Sequence, residues 1–189
     1  MDDRLHPVLS LLSLSSYTLD FPLGMLSVLH SSPLRCFARS TICPACREML
    51  GRRWLVVFQE ANRPYSMEGE KLMWMVDVTA EENPVPVATF RVPVEGFSTT
   101  VGRLGPHQPH EDKRLRDGLV YAAWFWAGLR VVNVADPYRP VEVGYYIPPA
   151  QEGQAVIQTN DVFVDDRGLI YTIDRLHGGL DILEYTGHR

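Results

Sequence analysis

LVYAAWFWAGLRVVNVADPYRPVEVGYYIPP, residues 119–149, decides the fold. Short runs of Val, Leu, Tyr, Phe and Trp are broken by Gly, Asn, Asp and Pro, which is the punctuation of strands and turns. In an extended chain, alternate side chains point to opposite faces. Leu129, Val131 and Asn133 therefore share one face, and Arg130, Val132 and Val134 share the other. Both faces are largely apolar, as a sheet stacked between two neighbours requires. Gly128 supplies a tight turn between two strands. Pro137 and Pro140 belong in a connection, because proline cannot donate to a central ladder.

The same texture recurs on either side of this stretch. LMWMVDVTAEENPVPVATFRVP occupies residues 72–93, and GLIYTIDRLHGGLDILEY occupies residues 168–185. Val76-Asp77-Val78 corresponds to Val132-Asn133-Val134, and Gly128-Leu129 to Gly179-Leu180, at spacings of 56 and 51 residues. A period of roughly 40 to 50 residues, with several strands in each unit, is the signature of propeller blades. The expected fold class is all-β, a partial β-propeller of about three blades.

Three segments, DPYRPVEVGYYIPP, QTNDVFVDDRGLIYTIDR and GGLDILEY, resemble the LVIVD-repeat β-propeller proteins. So do EANRPYSMEGEKLMWMVDVT, NPVPVATF and GPHQPHE. That group is distantly similar to the selenium-binding and methanethiol-oxidase propellers. The resemblance covers residues 52–187 and corresponds to the C-terminal half of such a propeller. It implies a fragment of a longer ring, or a chain whose ring is closed by self-association or a protein partner. About four or more blades are needed for closure.

The chain changes character near Gly51. Residues 1–50 are rich in Leu and Ser, show no helical or strand period, and are interrupted by Pro7, Pro22 and Pro33. They are expected to form an irregular, non-native or disordered segment, with residues 51–189 forming the blades. Of the 189 residues, 46% are hydrophobic and 22% charged, an ordinary globular composition. A net charge of −5 argues against nucleic acid as the main partner. No apolar run reaches the ~18 residues of a membrane span. The N-terminus opens with Asp2 and Asp3 rather than the basic residues of a secretory signal. Three clustered cysteines, Cys36, Cys43 and Cys46, make a poor disulfide framework and point to a reducing, cytoplasmic setting.

GPHQPHE, residues 105–111, is the first candidate site. His110 lies fifty residues before Asn160, just as Leu119-Val120-Tyr121 lies fifty before Leu169-Ile170-Tyr171. His110 thus falls at the start of the innermost strand of a blade, where equivalent positions of successive blades converge. Two histidines can hold a divalent transition metal, with carboxylates filling in. The alternative is a proline-stiffened loop that binds nothing. The resemblance to selenium-binding propellers implies His107, His110 and Glu111 as metal ligands. Glu60 and Asn62 from the preceding blade, and Asn160 and Asp161 from the following one, are the companions of a ligand-binding site. Trp124, in the aromatic run AAWFWAG, either packs between blades or stacks on a ligand.

CPAC, residues 43–46, admits three readings: chance, a zinc half-site with Cys36, or a redox pair followed by a helical turn. Asp165, Asp166 and Gly168 read as a hairpin turn rather than a calcium loop, whose D-x-D-x-D-G register is missing. There is no nucleophile elbow and no phosphate-binding loop. The functional expectation is a ligand- or protein-binding scaffold. The alternative is a metal-dependent oxidoreductase or hydrolase with channel histidines.

Overall fold

A computed structural model describes residues 10–11, 45–110, 118–176 and 178–187. The elements are β1 (Ser10–Leu11), β2 (Ala45–Met49), β3 (Arg52–Phe58), a one-turn helix α1 (Tyr65–Glu68), β4 (Met73–Asp77), β5 (Val85–Phe90), β6 (Leu119–Ala123), β7 (Leu129–Asn133), β8 (Val141–Tyr146), β9 (Thr159–Val164), β10 (Leu169–Asp174) and β11 (Gly179–Glu184). The chain is all-β. Its strands form three small antiparallel sheets: β2-β3-β4-β5, β6-β7-β8 and β1-β11-β10-β9. Among the described residues these sheets do not close into a ring. No helix among them is long and apolar enough to cross a membrane.

The alternation read from β6 and β7 has the expected consequence. Val120, Ala122, Trp124, Val132 and Val134 join Trp54, Val56, Phe58, Met73 and Met75 in one core. Leu119, Tyr121, Ala123, Leu129 and Val131 join Val162, Val164, Ile170 and Leu183 in a second. The middle sheet is thus buried on both faces, and every residue of β6 is out of solvent. Each fully buried Leu, Val or Phe stabilises the stack by about 1.5–3 kcal/mol relative to exposure. Most hydrophobic stabilisation therefore runs through this one sheet.

The outer face of the last sheet differs. Phe163 pairs with Tyr171, Tyr171 with Ile182, and Ile173 with Leu180. Phe163 remains 55% exposed, and Ile173 and Leu180 are also open to solvent.

Two strands come from the stretch expected to be irregular. The change of texture near Gly51 coincides with the turn of a tight hairpin. Met49 pairs with Arg52, and the two residues between them, Leu50 and Gly51, both have positive φ, the pattern of a type I′ turn. Cys46 lies in β2, opposite Leu55, so the residues after it are strand and not a helical turn. Cys36 and Cys43 lie outside the described residues, as does most of 1–50.

The turns follow their sequences. Asp165–Gly168 closes the β9–β10 hairpin: Gly168 N–H donates to the Asp165 carbonyl, and the Asp165 carboxylate accepts from the Arg167 and Leu169 N–H groups. Pro137 and Pro140 sit between β7 and β8. The β6–β7 connection winds Trp124 to Gly128, with Trp124 N–H donating to the Gly128 carbonyl at 2.7 Å.

Candidate functional site

GPHQPH, residues 105–110, runs antiparallel beside β6. His107 N–H donates to the Ala123 carbonyl, Ala123 N–H to the Gln108 carbonyl, and His110 N–H to the Tyr121 carbonyl, each at 2.8 Å. Pro109 bridges Ala122. The segment therefore extends the middle sheet on its β6 side, where β9 occupies the same place beside β10 in the last sheet. The two prolines face away from the hydrogen bonds, as they must.

Both histidine rings reach backbone groups of β9. His107 Nδ1–H donates to the Asn160 carbonyl at 2.5 Å. Its Nε2 lies 3.5 Å from Glu60 Oε1. His110 does the reverse. It is buried, with 4% of its surface exposed, and its Nδ1 accepts the Val164 N–H at 3.0 Å. Its ring meets Phe163 edge-on at 5.4 Å. The partners of the two rings, Asn160 and Val164, are four residues apart on β9, or about 13 Å along an extended strand. A metal-bound imidazole offers a lone pair from one nitrogen and a proton from the other. His107 fits that requirement, with Glu60 beside it. His110 has its Nδ1 lone pair committed to Val164. Among the described residues no three His, Cys, Asp or Glu side chains gather as a metal group, and Glu111 lies outside them.

The remaining candidates have distinct surroundings. Asn62 is exposed; its N–H donates to Glu68 Oε2 at 2.9 Å, so it belongs to the turn before α1. Burial raises the Glu68 carboxyl, but the Asn62 and Arg63 N–H groups and Lys71 outweigh that and hold it low. Asn160 supplies its carbonyl to His107, and its own Oδ1 is buried without a hydrogen bond among the described residues. Asp161 is exposed and accepts from Val162 N–H at 2.8 Å. Trp124 lies in the first core, edge-on to Phe90 at 5.5 Å and tilted on Phe58 at 6.2 Å.

Phe125, in the β6–β7 connection of the middle sheet, also meets β9 of the last sheet. It is fully buried, and its backbone bridges Leu104 on one side and Thr159 on the other. Its φ of 40° lies in the left-handed region, which costs a residue with a Cβ about 1–2 kcal/mol. The His107 ring lies 4.7 Å from its ring. The guanidinium carbons of Arg103 and Arg175 lie 5.2 and 5.8 Å from the same centroid. Arg103 reaches Glu60 at 3.6 Å. Buried Gln158 anchors this end: its Oε1 accepts from Arg103 N–H at 3.0 Å, and its Nε2 donates to the Arg103 carbonyl at 3.1 Å. Its own N–H donates to Asp174, and its carbonyl accepts from Arg175 N–H at 3.0 Å.

Glu60 comes from the connection after β3, Phe125 from the β6–β7 turn and Arg175 from the β10–β11 turn. These are equivalent connections of three sheets, meeting at one end of the stack. Arg103, Gln158 and Arg175 are not evident from local motifs. One signal was available: the fifty-residue offset that aligns Tyr121 with Tyr171 also aligns Phe125 with Arg175. No protein-family model matches the chain, and no curated protein matches it.

Proposed function

We propose that the chain is a β-propeller-type repeat protein that works as a binding scaffold, with its ligand site at the end of the stack centred on Phe125. One observation carries this reading. Equivalent connections of three sheets bring Glu60, Arg103, His107, Phe125 and Arg175 into mutual reach. Convergent polar groups around an aromatic floor are what a small-molecule site needs. A strained φ at that floor supports the same reading, since strain tends to persist where geometry serves function. The exposed outer face of the last sheet is where further sheets would stack, from a second copy or a partner, to complete a ring.

The test is an NMR fragment screen on the full chain. Hits are expected to shift the amides of Arg103, His107, Phe125 and Thr159 together. Hits that fall elsewhere, or none at all, would end the assignment of this end as the ligand site.

A metal-dependent enzyme is the second reading, favoured by the approach of His107 Nε2 to the Glu60 carboxylate. His107 Nε2 and the Glu60 carboxylate would hold the ion, with Glu111 as a further donor. Such an ion would supply Lewis acidity to a bound oxygen. Stoichiometric metal in purified protein by elemental mass spectrometry, lost in His107→Ala, is the expected result. Metal content unaffected by His107→Ala would remove this reading.

A further inference from the structure

We propose that Arg103 and Arg175 form a binding site for a small oxyanion, the carboxylate or phosphate group of a soluble ligand. The inference rests on the reading that the Phe125 end is the ligand site.

Two guanidinium groups lie within 6 Å of one ring centroid, in a chain whose net charge is −5. Like charges brought together need either counter-charges or a purpose. Glu60 is the one carboxylate that reaches this pair among the described residues, and it serves Arg103 at a long 3.6 Å. The Arg175 side chain has no carboxylate and no hydrogen-bond acceptor among the described residues, and it is exposed. Asp174, next in sequence, is not free to neutralise it. Its carboxylate is occupied by the N–H groups of Gln158, Leu176 and Gly178.

The geometry suits an oxyanion. A guanidinium stacked on an aromatic face is held by that face, while its edge donors stay available. Such an edge matches the two oxygens of a carboxylate or phosphate. Arg103 is held further by the two bonds from Gln158 to its backbone, and its side chain is 32% exposed. Both donors are therefore positioned before a ligand arrives, and both can be reached from solvent.

Phosphate and citrate, each titrated into the full chain at constant ionic strength with chloride as the control, give the test by amide NMR. Saturable shifts at Arg103, Phe125 and Arg175 are expected from at least one of them. Arg175→Gln should weaken that binding tenfold or more, and Arg175→Lys should weaken it less. Because Arg175 is exposed and forms no ion pair among the described residues, losing its contact with Phe125 should cost Arg175→Gln no more than about 0.5–1 kcal/mol of stability. A response to phosphate alone names a phosphate ligand; a response to citrate alone names a carboxylate. Shifts that grow linearly and match chloride would overturn the site, as would equal affinity in Arg175→Gln. An uncharged fragment that saturates the same amides, unaffected by Arg175→Gln, would keep the ligand end and overturn the oxyanion. Failure of every probe there would overturn both.

Discussion

Gly128 and Gly179 occupy equivalent places at the starts of β7 and β11, and the structure makes them unequal. Both have positive φ, 75° and 84°. A methyl group at either position therefore meets the left-handed penalty of about 1–2 kcal/mol. Restricting the unfolded chain returns about 0.4–1 kcal/mol of that. For Gly179, where a Cβ would find no atom within 4 Å, that is the whole effect. Gly179→Ala should cost about 0.5–1 kcal/mol. At Gly128 the added Cβ lands on the Tyr146 carbonyl and crowds Ile147 Cα at 2.9 Å. That is backbone, so the end of β8 must move, and overpacking of this kind adds about 1–3 kcal/mol. Gly128→Ala should therefore cost about 2–4 kcal/mol in total. Urea unfolding followed by the fluorescence of the four tryptophans measures both. A chain of this size loses about 2–4 °C per kcal/mol, so the melting points should fall by roughly 1–4 °C and roughly 4–16 °C. Equal losses would refute the close approach of β8 to the β6–β7 turn.

The two-core stack predicts unequal truncations as well. Leu129→Ala, fully buried in the second core, should cost about 2–5 kcal/mol, whereas Phe163→Ala on the open face should cost about 0.5–1 kcal/mol. Comparable urea midpoints for the two variants would mean that the middle sheet is not covered on both sides. Charge gives a third prediction. Burial, with Asp174 adding to it, raises the Asp181 carboxyl above its usual range. A raised carboxylate favours the fold while protonated and loses that contribution as pH rises through its folded value. Asp181→Asn should therefore stabilise the protein at pH 7 and confer nothing in acid. Asp165 has the opposite sign. Burial raises it, but Arg167, Leu169 and Tyr171 donate to it and hold it low. Its contribution is present at neutral pH and disappears as pH falls through that lowered value, so Asp165→Asn should flatten the acid limb of the stability curve. A parallel pH profile for both variants would contradict these environments.

Much of the strand layout was legible because period two and turn chemistry act locally. The sharing of faces by Leu129, Val131 and their neighbours needed only alternation. The fifty-residue offset set His110 against Asn160, at the start of a blade's inner strand; in the structure residues 105–110 lie beside β6. The offset did not show which way each histidine turns. That depends on the β9 backbone groups that each ring meets. β2 was not legible either. ACREM carries too few β-branched residues to announce a strand, and it is held by pairing with β3 across a two-residue turn. Arg103 and Arg175 are 72 residues apart in sequence. Their approach to one ring is a product of stacking, which no local pattern encodes.

The double burial of the middle sheet also bears on how the molecule comes apart. In a linear stack each layer is stabilised by its neighbours. Here the central layer is a partner to both others, so its loss strips an apolar face from each at once. The outer sheets can fray alone, but the centre cannot open while they stay. The amides of β6 and β7 should then exchange with solvent only through global unfolding, while those of β5 and β9 exchange through smaller openings. The tryptophan-rich turn that carries Phe125 hangs from this slowest layer. The site's geometry is thereby tied to the most persistent part of the protein.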